Sequence, residues 1–148
     1  MANTIKLKKY SDIIEEYPAG GAITPGHLIK LGSNNKVVVH DGAGENALPI
    51  FALEDELQGR GISDAFATDE PVQCWVAGRG DIVNAILTTS QTVVIGDWLE
   101  SAGNGTLQKH VPDTDSDGTD IFGKQIVGQA VVAVTTTAAV ARIAVRIA

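Results

Sequence analysis

The chain has 148 residues, a formal net charge of −7, 16 glycines and one cysteine. That length holds one domain with a real core, and a hydrophobic content of 44% excludes a chain too polar to fold. The lone Cys74 excludes an intrachain disulfide and suits a reducing cytoplasm. No apolar run reaches the ~20 residues that span a bilayer, and the N-terminus has lysines but no apolar signal-peptide core.

Charge is unevenly spread. Residues 1–40 carry +2, residues 41–120 carry −12 and residues 121–148 carry +3. An acidic middle argues against a nucleic-acid surface, which needs clustered cations against phosphates. The basic ends are either incidental or contact surfaces for an acidic partner.

In chain order, Ile5 and Leu7 alternate with Lys6 and Lys8, as in a short strand with one oily and one basic edge. Ser11 is placed to cap one helical turn, which Pro18 and Gly20-Gly21 soon stop. This opening reads either as the first strand of the domain or as an arm that adds to another chain's sheet edge. Pro25-Gly26 suits a type II turn. Residues 27–31 and 36–40 form a hairpin signal around Gly32-Ser33-Asn34-Asn35, and residues 41–46 a polar loop.

Residues 48–66 form the centre of the sequence. The stretch starts apolar, passes through Glu54, Asp55 and Glu56, and turns at Gly59-Arg60-Gly61 before leading into a β-rich run at 72–76. Phe51 and Phe66 lie within it and Trp75 just after, so these rings are expected to fix the core of an aromatic-poor chain. Further strands are expected at 82–87, 93–95, 98–99 and 106–109, joined by glycine turns. Residues 126–134 read as one strand, apolar on both faces. In the last strand Ile143, Val145 and Ile147 point one way, Arg142 and Arg146 the other. The pattern predicts an all-β fold, a small antiparallel barrel or sandwich with little helix.

No catalytic constellation stands out. Glu54, Asp55 and Glu56 are adjacent, whereas acid–base pairs come from differing environments and usually separate segments; a charged rim for a partner explains them better. His27, His40 and His110 lack metal-ligand spacing, and Cys74 lies in an apolar run as an inert thiol would. Arg79-Gly80-Asp81 is explained by a hairpin turn. Asp113, Asp115 and Asp117, followed by Gly118, match the start of a Ca²⁺ loop, but Lys124 stands where the bidentate Glu belongs. A solvated turn-rich loop is the competing reading.

Several stretches taken together resemble the capsid cement (head decoration) proteins of tailed phages. They are Phe51-Ala52-Leu53-Glu54-Asp55-Glu56-Leu57-Gln58-Gly59, Ile62-Ser63-Asp64-Ala65-Phe66, Val72-Gln73-Cys74-Trp75 and Ile95-Gly96-Asp97-Trp98-Leu99-Glu100-Ser101, with an opening that runs from Met1 to Asp12 and an ending at Arg142-Ile143-Ala144-Val145-Arg146-Ile147. The likeness fades from residue 111 to 122. It implies a non-enzymatic virion protein, made in the host cytoplasm. It further implies a homotrimer seated on the outer capsid surface, clamping neighbouring major capsid protein subunits, with no cofactor, nucleic acid or membrane. It favours the arm reading, giving residues 1–18 as an extended N-terminal arm and 19–148 as a single β domain. The expected capsid-binding residues are Thr4, Ile5, Lys6, Leu7, Lys8 and Lys9 in the arm, with Glu54, Asp55, Glu56 and Arg60 around the centre. The alternative is a carbohydrate-binding surface domain assisted by Ca²⁺ at the Asp113, Asp115, Asp117 loop.

Overall fold

A computed structural model describes residues 2–10, 12–112 and 125–148. The described residues are nearly all β, with one 3₁₀ turn. In chain order the strands are β1 (Lys6–Lys8), β2 (Ile13–Pro18), β3 (Ile29–Leu31), β4 (Val37–Val39), β5 (Ile50–Ala52), β6 (Pro71–Val76) and β7 (Ile82–Leu87). They continue as β8 (Thr92–Val93), β9 (Trp98–Ser101), β10 (Leu107–Lys109), β11 (Ile126–Ala130), β12 (Val134–Thr135) and β13 (Ala141–Ile147).

Five strands close a barrel in the order β7-β10-β9-β11-β13, with β13 returning to β7. The closing ladder runs antiparallel from Ala141 opposite Leu87 to Arg146 opposite Ile82. The period-2 pattern of β13 explains its seat: Ile143, Val145 and Ile147 are buried, while Arg142 and Arg146 take the other face. Strand β7 is buried at all six positions, with Val83, Ala85 and Leu87 in the barrel core, and is paired along both edges, to β13 on one and to β1 and β10 on the other.

A second sheet, β2-β6-β5, stands beside the barrel as a partition between two cores. Its residues alternate between them. Phe51, Leu53 and Trp75 join the barrel core, whereas Ala52, Val72 and Cys74 join a smaller core with Ala19, Ile23, Ile29, Val37 and Phe66. The hairpin β3-β4 covers that smaller core. The expected aromatic anchors Phe51, Phe66 and Trp75 are all buried.

Four segments depart from the sequence reading. Of the strand expected at 93–95 only Val93 lies in β8, while Val94 and Ile95 are exposed outside it. Residues 13–18 form a strand rather than a helical turn, because six registered pairs with β6 outweigh one turn of helix. The run 126–134 is two strands. The chain turns after Ala130, whose N–H donates to Asp97 O at 2.9 Å, and β12 leaves the barrel to pair with β8. The expected extended arm is seated on the chain's own sheets: β1 pairs with β7 and β2 with β6. Ile5 is fully buried in the barrel core, and its carbonyl accepts the Asn84 N–H at 2.8 Å. Burying that isoleucine removes apolar area from water that an unattached arm would leave exposed.

Ile5→Ala is therefore expected to destabilise the fold by about 2–5 kcal/mol, the range for truncating a buried isoleucine. Urea denaturation measures it; an unchanged midpoint would mean that the N-terminal strand is dispensable to the core.

Candidate functional site

The central stretch folds as a tight polar corner. After β5, a 3₁₀ turn at Glu56–Gln58 is capped by the Asp55 carboxylate, which accepts the Gln58 N–H at 3.3 Å. Gly59 ends it at φ 72°, a left-handed conformation that glycine adopts without strain. A single turn cannot bury a side chain on its own, and Leu57 is left 90% exposed.

This corner and the start of β1 enclose a cleft of about 180 Å³, lined by Thr4, Lys6, Glu54, Asp55, Glu56 and Leu57, with Leu53 and Gln73 at its floor. Five residues singled out from two distant stretches of sequence thus meet in one place. The link is Glu54. Its buried carboxylate accepts the Ile5 N–H, at 3.1 Å to Oε2 and 3.3 Å to Oε1.

Behind Glu54 lies Arg142, part-buried on the barrel's outer face. Its guanidinium donates to Pro25 O at 2.6 Å and to Ile62 O. Burial pulls its pKa down and the Glu54 charge opposes that shift. Gly26 approaches so closely, at φ 91°, that a Cβ would stand 2.1 Å from Arg142 Nη1. His27 packs nearby, and its Nδ1 accepts the Thr24 N–H at 3.1 Å, which fixes the neutral tautomer. Burial and then the Arg142 charge push its pKa down to about 4.

Arg60 occupies a neighbouring cleft of about 250 Å³ that shares Asp55 with the first. It donates twice to Glu70, Nη1 to Oε2 at 2.8 Å and Nη2 to Oε1 at 2.9 Å, and lies 5.9 Å from the Phe66 ring centroid. The bidentate bond, then the Ala67 N–H, hold the Glu70 pKa down at about 2. Arg60 therefore bolts the 59–61 turn to the approach to β6.

The expected contact residues fall in different surroundings. Ile5 is a core residue and Glu54 is an internal clamp, since burial removes both from a partner's reach. Arg60 is committed to Glu70. Leu7 is half-buried, and Lys9 with Lys6 is paired to Asp12. Lys8 is exposed but lies outside the cleft. Thr4, Lys6, Asp55 and Glu56 remain on the cleft wall, joined by Leu57, which the sequence reading did not select. Its only signal there was an apolar residue between Glu56 and Gln58 with no apolar neighbour. Among the described residues neither Asp55 nor Glu56 has a cation within 4 Å.

Elsewhere, His40 is buried between Ser101 Oγ at 2.7 Å and Asn46 O at 3.0 Å, and His110 Nδ1 lies 2.7 Å from Glu100. Asp81 turns inward, accepting the Gly78 N–H at 2.7 Å, so the Arg79-Gly80-Asp81 tripeptide is a structural turn. Cys74 is buried, and desolvation pushes its thiol up to about 12. The Asp113, Asp115 and Asp117 loop lies outside the described residues. Among the described residues no group of three or more His, Cys, Asp or Glu could hold a metal ion, and no helix is long and apolar enough to cross a membrane. Compared with known proteins, the chain matches no family model and no curated relative.

The His27 pKa sets a pH window. The unfolded histidine takes up a proton near 6.5 and the folded one only near 4, so the unfolded state binds more protons between them. The stabilisation is complete above about pH 6.5 and is lost as pH falls toward 4, amounting to roughly 3 kcal/mol. Glu70 acts in a lower window, its contribution fading only from about pH 4.5 down to about 2. Urea midpoints measured at about pH 7 and about pH 4.5 are expected to fall for the wild type and to change much less for His27→Gln.

Proposed function

We propose that this protein is a capsid cement protein: a homotrimer that seats on the outer surface of a tailed-phage head and clamps neighbouring major capsid protein subunits. The reading rests on the resemblance carried by residues 51–66, 72–75 and 95–101. The observation that carries it furthest is the acidic cleft with Leu57 at its rim. A 90% exposed leucine, beside the carboxylates of Asp55 and Glu56, has the make-up of an interface anchor with a charged surround. Such a surface fits a capsid subunit that offers an apolar socket edged by lysine or arginine.

The mechanism is geometric. Three copies around one axis present three clefts to three shell subunits. Each contact can be weak, because linking them makes the second and third binding steps intramolecular and raises avidity by orders of magnitude. A clamp that fits only the expanded lattice stabilises that lattice by mass action. Anchoring the cleft on Glu54 and Arg60 keeps it preorganised, so little conformational freedom is lost on docking.

The test is co-sedimentation with expanded shells that lack their decoration protein, followed by cryo-electron microscopy. Wild-type protein is expected to fill sites on the outer surface. Leu57→Asp and the double variant Asp55→Lys/Glu56→Lys are expected to lower apparent affinity at least about tenfold per altered anchor, equivalent to about 1.4 kcal/mol each. Wild-type protein that leaves the shells bare would sink the reading. Full decoration by both variants would remove the cleft from it.

A further inference from the structure

Directly opposed residues of an antiparallel ladder share a face. One row of registered pairs crosses five strands, past a register irregularity in β1 between Lys6 and Lys8 and one in β11 between Ile126 and Gly128: Lys8 registers with Ile82, Ile82 with Arg146, Arg146 with Gln129, and Gln129 with Trp98. At ~4.8 Å per strand the row is about 19 Å long, with the Lys8 and Arg146 backbones about 10 Å apart. Ile82 is buried while Lys8 and Arg146, on either side of it, are exposed. Their aliphatic stems suit the cover of that isoleucine.

This row is out of character for the molecule. The chain carries −7, yet neither Lys8 nor Arg146 has a carboxylate within 4 Å among the described residues. The turn that carries Arg79 adds a third cation: Gly80 N–H donates to Ile147 O at 2.9 Å, beside the end of β13. At the far end Trp98 is 46% exposed. The row is thus a cationic strip ending in an aromatic ring.

The opposite surface occurs on β2. Among the described residues it is an edge strand, paired on one side only, to β6. Ile13 is 55% exposed, Ile14 is exposed, and Glu15 and Glu16 follow without a cation partner among the described residues. An exposed edge with apolar side chains is normally covered or blunted.

We infer that the Lys8–Arg146–Trp98 row of one copy docks onto the Ile13–Glu16 stretch of β2 in the next copy, and that this contact builds the trimer. The inference rests on the trimer reading above and assigns its interface. Charge selects the pairing. Two copies of an acidic chain repel over most of their surfaces and attract where the cationic row meets unpaired glutamates. The contact is heterologous, one surface to a different surface, so it closes into a ring when the rotation per copy is one third of a turn. It also leaves the Leu57 cleft free for the shell.

Sedimentation velocity and native mass spectrometry of the purified chain test this. Wild type is expected to be a trimer whose dissociation on dilution red-shifts tryptophan emission, a shift that Trp98→Phe abolishes because Trp75 stays buried. Lys8→Glu/Arg146→Glu is expected to weaken association at least tenfold, as is Glu15→Lys/Glu16→Lys, and the four changes combined to restore the trimer. Circular dichroism checks folding; should a reversal variant misfold, Arg146→Gln and Trp98→Ala carry the same expectation. A trimer indifferent to these changes would overturn the interface and leave the trimer reading standing. A wild-type chain that stays monomeric at every concentration would overturn both.

Discussion

Strand β6 serves two cores at once, and the rest of the molecule depends on that sharing. Trp75 fills the barrel side while Val72 and Cys74 fill the other, so neither half has an interior without the strand between them. β5 repeats the device with Phe51 and Leu53 against Ala52. The arrangement has a cost. The Trp75 indole N–H is buried with no hydrogen-bond partner among the described residues, a penalty of about 1–3 kcal/mol that the ring's large apolar burial offsets. A sheet committed on both faces has little freedom to slip, because a one-residue register shift would exchange the two sets of side chains.

The candidate site inherits this rigidity. The corner that bears Leu57 leaves the partition directly after Leu53, and Glu54 ties it to the N-terminal strand while Arg60 ties it to the approach to β6. Two charged residues that look like surface contacts on paper are the fasteners of that corner. Those left facing outward, Asp55, Glu56 and Leu57, are flanked by the buried Glu54 and the ion-paired Arg60. The distribution of work is consistent with a recognition surface built on rigid elements.

Much of the fold was legible in the residues. Alternation in β13, the glycine turns and the three buried rings all read correctly, because period-2 patterns and turn chemistry are local signals. What misled was equally local. Ser11 followed by a mixed apolar–acidic run looks helical, and only long-range pairing with β6 makes residues 13–18 a strand. The largely apolar run at 126–134 hid a turn, because no glycine or proline marks residues 131–133. For the site, two stretches far apart in sequence meet at one cleft, while Ile5 and Glu54 turn inward. Nothing in the order of residues shows that the Glu54 carboxylate would meet the backbone of Ile5, 49 positions away. Leu57 was overlooked because a leucine is expected inside, and only the shortness of its turn leaves it outside.

The single thiol has a consequence of its own. Cys74 sits in the wall shared by the partition sheet and the β3-β4 hairpin, on a cavity of about 180 Å³ lined also by Glu15, Tyr17, Lys30, Leu31, Val37, Leu48 and Ile50. As a thiol pushed up to about 12, it is almost wholly protonated and shielded in the closed molecule. Lifting of the hairpin is expected to speed its labelling by an alkylating reagent. The rate of labelling is thus a native clock for the breathing of one half of the protein, read without adding a probe and without disturbing the barrel.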